Sequence, residues 1–260
     1  MTILDKITSD KHKEVALKKS IIPRTQLEQS VLFEKQTISL SNALAKSKSG
    51  IIAEHKRRSP SKATINNALR VQDVAKGYEK AGVCGMSVLT DTTYFGGSLD
   101  DLLIARASCN LPLLRKEFII DEYQLLEAKA YGADVILLIA AILTRNEIKQ
   151  FSELAKSLNL DVLLEVHNQE ELHKSIMPSI DMLGVNNRNL KTFQVSIETS
   201  KELSNLIPND FIKVSESGIS HVETIKELQQ YGYQGFLIGE NFMKSNNPGE
   251  SATKFINSII

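Results

Sequence analysis

IIAEHKRRSPSK, residues 51–62, begins as a strand and ends in a cluster of charge. Ile51 to Ala53 are apolar, yet Glu54, Lys56, Arg57 and Arg58 crowd the next five positions before Ser59-Pro60-Ser61 stops the run. Side chains alternate along a strand, so Glu54 and Lys56 share one face while His55 and Arg57 share the other. In a parallel barrel one face of each strand points to the axis, and the axis opens where the strands end. There, and only there, charges of this kind have a use.

The pattern recurs along the chain. GIIAEHK (50–56), CGMSVLT (84–90), PLLRKEF (112–118), DVILLIA (134–140), DVLLEVH (161–167), DMLGVNN (181–187), FIKVSES (211–217) and GFLIGE (235–240) read as eight strands. Helical segments alternate with them: VQDVAKGYEKAG, LDDLLIARAS, DEYQLLEAKAYGA, RNEIKQFSELAKSLN, QEELHKSI, IETSKELSNLI, HVETIKELQQYG and a terminal GESATKFINSI. Several end in Gly or Asn, which take the left-handed cap conformation most readily. Eight βα units predict an α/β protein, a (β/α)8 TIM barrel over residues 49–260. An open doubly wound sheet is the alternative, but it normally carries a GxGxxG turn after its first strand, and RRSPSK stands there instead.

Residues 1–48 differ in kind. They are Lys-rich, lack strand-like runs and predict two or three polar helices, among them LDKITSDKHKEVALKKS and TQLEQSVLFEKQ. No Pro/Gly linker follows, so they are expected to form a helical extension packed on the barrel, the 260 residues making one domain.

Composition limits the partners. Lys+Arg and Asp+Glu are both 31, which gives no case for nucleic acid or an acidic membrane surface. The start of the chain lacks the apolar core of a signal peptide, and VILLIAAIL (135–143) is too short to span a bilayer, so a cytoplasmic protein is expected. Cys84 and Cys109 predict neither a disulfide framework nor a thiolate zinc site. His12, His173 and His221 fall on helices, and His55 and His167 form no spaced ligand set, so no metal is expected.

Selecting polar residues at strand ends leaves Glu54, Lys56 and Ser59, then Lys116, Glu165, Asn186 and Arg188, and finally Ser215, Glu216 and Ser217. Strand 2 offers only Thr90 and Asp91, and strand 4 is apolar throughout. Each of these alone could be a rim residue or half of an ion pair. Together they predict one cavity, because desolvated charges cost several kcal/mol unless paired or used. Carboxylates near a lysine keep it protonated, while burial and a second cation lower its pKa, so the set suits acid/base chemistry on an anionic substrate. The turns SESGIS (215–220) and IGENF (238–242) follow strands 7 and 8, where Gly218 and Gly239 would let backbone amides approach a phosphate; Glu240 fits there only if its side chain turns away.

IIAEHKRRSPSK, VLTDTTYFGGS (88–98), PLLRKEFIIDEYQ (112–124), LLEVHNQEEL (163–172), LGVNNRNL (183–190), SESGI (215–219) and FLIGENFM (236–243) together resemble indole-3-glycerol-phosphate synthase. The matches touch every strand except the fourth. The resemblance implies conversion of 1-(2-carboxyphenylamino)-1-deoxyribulose 5-phosphate to an indole, with loss of carbon dioxide and water and no metal or organic cofactor. It implies that Lys116 protonates the substrate carbonyl, Glu165 serves the dehydration, and Glu54 positions the lysines. Lys56 is left with either the phosphate or a later proton transfer. Asn186, Arg188, Glu216 and Ser217 match substrate-binding positions, with Asn186 and Ser217 counted in the catalytic set. Ser59 matches the SPS turn, Phe95 and Phe118 the apolar walls, and Gly218, Gly239 and Glu240 the phosphate turns. Ala63 stands where the family usually has Gly, and Glu117 where it usually has Asp. Association with other tryptophan-pathway enzymes is left open. Two rival readings use the same barrel: a Schiff-base aldolase with Lys116 or Lys56 as nucleophile, and a non-catalytic barrel that binds a phosphorylated metabolite.

Overall fold

In the computed structural model, which describes residues 2–260, the eight apolar runs form eight parallel strands. They are β1 (Ile51–His55), β2 (Gly85–Leu89), β3 (Leu113–Lys116), β4 (Val135–Ile139), β5 (Asp161–Val166), β6 (Met182–Asn186), β7 (Ile212–Glu216) and β8 (Tyr233–Ile238). Each pairs with the next in chain order, and β1 closes the ring on β8, with Ile52 opposite Gly85 on one side and Leu237 on the other. The strands are apolar on both faces because both are covered. Ile51, Ala53, Val88, Leu113 and Phe236 pack outward against helices. Ile52, Leu114, Leu137, Leu163, Met182, Val214 and Leu237 fill the interior.

The N-terminal segment forms α1 (Ile3–Ile21), α2 (Arg24–Glu28) and α3 (Leu40–Lys46). Leu40 and Leu44 of α3 join the interior layer. The Asp161 carboxylate, at the start of β5, accepts from Ser39 Oγ at 2.9 Å and Ser41 N at 3.0 Å, which holds α3 under the barrel floor. At the other end of the barrel, α1 brings Ile3, Leu4 and Ile7 to the cavity described below.

A ring of charge fixes α1. Lys11 Nζ, on a side chain only 2% exposed, lies 2.7 Å from Glu14, 3.0 Å from Asp91 and 3.1 Å from Glu117. Glu14 meets Lys18 at 3.0 Å, Lys18 meets Glu127 at 3.2 Å, Glu127 meets Arg115 at 2.5 Å, and Arg115 returns to Glu117 at 3.7 Å. A buried cation without partners would cost several kcal/mol, and here every charge has an opposite one beside it. Burial opposes the charged form of Lys11, but the carboxylates of Glu117 and Asp91 outweigh it and hold the ammonium protonated.

Three expectations change in extent. The predicted helix TQLEQSVLFEKQ stops at Glu28, because Ser30 Oγ donates to Ala130 O at 2.7 Å and draws the chain away into turns. HVETIKELQQYG ends at Gln230, with Gly232 left-handed at φ 83°, so β8 starts at Tyr233 rather than Gly235. Gly239 and Glu240 lie beyond β8, where Glu240–Met243 is a single short helical turn. Among the described residues no helix is long and apolar enough to cross a membrane.

Candidate active site

A cavity of about 360 Å³ opens at the C-terminal ends of the strands. Fourteen of the candidate residues line it: Glu54, Lys56, Ser59, Phe95, Lys116, Phe118, Glu165, Asn186, Arg188, Glu216, Ser217, Gly218, Gly239 and Glu240. Ser215 does not. On β7 the inward positions are Val214 and Glu216, so Ser215 points outward, where its hydroxyl bonds Asn187 Nδ2 at 3.0 Å and Ser200 Oγ at 2.9 Å. Being at a strand end is not sufficient; the parity must match.

Lys116 stands at the centre. Its Nζ donates to Glu216 Oε2 at 2.5 Å and Glu165 Oε2 at 3.0 Å. Burial alone would lower its pKa, but the charges of Glu165, Glu216 and Glu54 reverse this and keep it well above the usual lysine range. The sequence-based expectation of a lowered lysine pKa is therefore corrected at this residue. Lys56 Nζ lies 2.6 Å from Glu54 Oε1, so each lysine has its own carboxylate partner.

The three glutamates are nearly sealed from solvent, at 2% exposure for Glu54, 4% for Glu165 and 2% for Glu216. Glu165 and Glu216 diverge in acidity. Burial would raise Glu165, yet Lys116 and His167 overcome this and pull it down to about 2. For Glu216 burial prevails over Lys116, with help from the neighbouring charges of Glu165 and Glu54, and raises it to about 7. One carboxyl is thus a firm anion and the other sits near neutrality, both on the same ammonium.

Backbone design makes room for these groups. A Cβ on Gly184 of β6 would fall 2.5 Å from Glu216 Oε1, and one on Gly239 would fall 2.5 Å from Glu54 Oε1. Only glycine leaves space for the two carboxylates. Ser217, next to Gly218, adopts φ 68°, a left-handed backbone that costs a non-glycine residue of order 1–3 kcal/mol. The Glu240 carboxylate, which lines the cavity, is held by Lys62 Nζ at 2.6 Å.

The apolar wall is formed by Phe95 and Phe118, whose ring centroids lie 5.9 Å apart, with Leu137 and Leu237 below. Arg57 turns away from the cavity onto Asp101 and the Gly96 carbonyl, and Arg58 donates to the carbonyls of Thr92 and Thr93. Both tether the loop after β1 to the segment 92–101. The sequence reading passed over Ile3, Leu4 and Ile7 of α1 and Phe193 and Val195 of the loop after β6, all of which line the cavity. A signal existed for the first group: Ile7, Lys11 and Val15 fall on one helical stripe, and all three are buried.

Fold and site together define a barrel enzyme, and its relatives are carboxy-lyases. A profile of the family described as indole-3-glycerol phosphate synthase matches residues 4–255, and the chain belongs to that family. It is 48% identical over 257 residues to an indole-3-glycerol phosphate synthase of Bacteroides thetaiotaomicron, covering 99% of this chain and 98% of that one. It is 40% identical over 253 residues to one of Acinetobacter baumannii, covering 97% and 94%. Among solved structures, 3-hexulose-6-phosphate synthase from Salmonella typhimurium superposes with a TM-score of 0.64 at 14% identity, over 81% of this chain and 98% of that one. That likeness concerns the fold alone.

Proposed function

We propose that the chain converts 1-(2-carboxyphenylamino)-1-deoxyribulose 5-phosphate to indole-3-glycerol phosphate, releasing carbon dioxide and water, as a step of tryptophan biosynthesis in the cytoplasm. The observation that carries this reading is the Lys116 ammonium, 2.5 Å from Glu216 and 3.0 Å from Glu165, beside the Phe95–Phe118 wall. The aryl ring of the substrate packs on that wall. Its carboxylate-bearing carbon attacks the sugar ketone while Lys116 delivers a proton to the ketone oxygen, so a C–C bond and a hydroxyl form together. The carboxylate then leaves as carbon dioxide, and its bonding pair restores the aromatic ring.

Dehydration completes the indole. The hydroxyl takes a second proton and departs as water, and Glu165 removes one proton from the methylene carbon beside nitrogen. Two protons are delivered and one is recovered, which matches the proton consumed when a carboxylate is lost as carbon dioxide. Lys56 supplies the second proton or meets the phosphate, with Glu54 orienting it. Backbone amides of the turns at Gly218 and Gly239 receive the phosphate, with Ser217 and Ser59 beside them, while Asn186 and Arg188 hold the polar edge of the substrate. Residues 1–48 act with the barrel as one domain, since α1 supplies part of the cavity wall.

A lysine held well above the usual range by the surrounding glutamates supports proton donation over nucleophilic attack, because a Schiff-base amine must be neutral to react. Indole fluorescence on mixing the enzyme with the carboxyphenylamino sugar phosphate tests the reading. Product without a borohydride-trapped lysine adduct is expected; a trapped adduct, or no product, overturns it.

A further inference from the structure

His167 follows β5 directly and, among the described residues, is a titratable group beside Glu165 to which the mechanism gives no role. Its side chain is 11% exposed. Nδ1 lies 3.1 Å from Glu171 Oε2, on the helix Gln169–Ser175, and the same oxygen accepts the His167 backbone N–H at 2.8 Å. Asn168 Nδ2 donates to the other Glu171 oxygen at 2.8 Å. The ring is therefore clamped on its Nδ1 side. Nε2 is buried, has no hydrogen-bond partner, and lies 3.4 Å from Glu165 Oε1, while Glu165 Oε2 faces Lys116 at 3.0 Å. Glu171, His167, Glu165 and Lys116 form a row of alternating charge that leads from the rear wall of the site to its centre.

We propose that His167 is a positioning residue for Glu165: clamped by Glu171, it holds Nε2 3.4 Å from Glu165 Oε1 as a charge partner and so leaves Oε2 to Lys116 and the reaction. The inference rests on the acid/base reading of Glu165. A neutral imidazole has one donor nitrogen, whereas this ring faces carboxylates from both, which favours the doubly protonated form. Burial works against that charge, but the hydrogen bond to Glu171 and the charges of Glu165, Glu171 and Glu216 outweigh it and raise the His167 pKa. The groups around the ring are Glu165 on its own strand end, Glu171 on the following helix, and Glu216 on β7. Asp5 of α1 and the cations Arg188 and Lys191 after β6 line the same side cleft, and Lys116 of β3 lies beyond Glu165. Anions dominate at close range.

A consequence follows for pH. Glu165 lies between two cations, Lys116 and His167, and loses one of them when pH rises through the raised His167 pKa. Glu165 is then oriented by Lys116 alone, and turnover falls.

The test compares kcat and KM across pH for wild type, His167→Leu, His167→Gln, Glu171→Gln and Glu165→Gln, each checked for folding by circular dichroism. Wild type is expected to lose kcat on an alkaline limb that both His167 variants lack. His167→Leu is expected to lower kcat by about tenfold with little change in KM, and His167→Gln, which keeps a single amide donor, to recover part of the loss. Glu171→Gln should move the limb to lower pH, because the imidazolium loses an anionic partner. If Glu165→Gln abolishes turnover while both His167 variants keep the wild-type kcat and pH profile, the inference is overturned and the reading of Glu165 stands. Wild-type turnover in Glu165→Gln would overturn both. Should His167→Leu fail to fold, His167→Gln and Glu171→Gln decide the matter through the limb alone.

Discussion

Glu54 Oε1 lies 2.6 Å from Lys56 Nζ and also where a Cβ on Gly239 would come within 2.5 Å of it. A single carboxylate thus links the lysine at the end of β1 to the turn after β8. Glu54→Gln keeps the shape and removes the charge, so Lys56 loses its anchor; kcat/KM should fall by about 10²-fold without loss of fold. Gly239→Ala should have a related effect by displacing the carboxylate, with destabilisation of about 1–3 kcal/mol from overpacking. Steady-state kinetics and thermal melts on the two variants check both statements.

Lys11 makes a separate prediction about α1. In Lys11→Met the carboxylates of Asp91 and Glu117, both buried, lose their shared cation. Breaking a buried pair in this way costs about 3–5 kcal/mol, and about 2–4 °C in Tm per kcal/mol is expected for a chain of this size. Because α1 also presents Ile3, Leu4 and Ile7 to the cavity, KM should rise as Tm falls. Calorimetry and a KM measurement below the melting range would reveal this pairing of effects.

Lys11 also marks where the sequence ceases to be legible. The barrel could be read because each strand is a short apolar run set between helical segments, a local signal. The cavity residues could be read because inward parity and position at a strand end are local properties too; Glu54, Lys116, Glu165 and Glu216 satisfy both. Ser215 met only the second and faces outward. Besides its neighbour Glu14, the partners of Lys11 lie 80 and 106 residues away in sequence, at Asp91 and Glu117, and nothing local announces that pairing. Phe193 and Val195 reach the cavity only because the loop folds back through a bridge between Arg188 and Val195, again a tertiary event.

Two carboxyls with opposite shifts predict opposite pH effects on stability. Glu216, raised to about 7, favours the folded state below its unfolded pKa near 4.5, and that contribution is lost as pH rises toward 7. Glu165, lowered to about 2, contributes above pH 4.5 and loses its contribution as pH falls toward 2. The Tm of Glu216→Gln relative to wild type should therefore become more favourable between pH 5 and pH 8. Melting curves across that range would contradict the assignment if the difference stayed flat or changed in the other direction.

Proton donation by one buried ammonium is the step on which the proposed chemistry turns. Single-turnover formation of indole-3-glycerol phosphate by Lys116→Met, on protein shown to be folded, tests it most directly. Removing the general acid should slow ring closure by about 10²–10⁴-fold while substrate still binds. Ring closure within about threefold of wild type would show that Lys116 does not donate the proton.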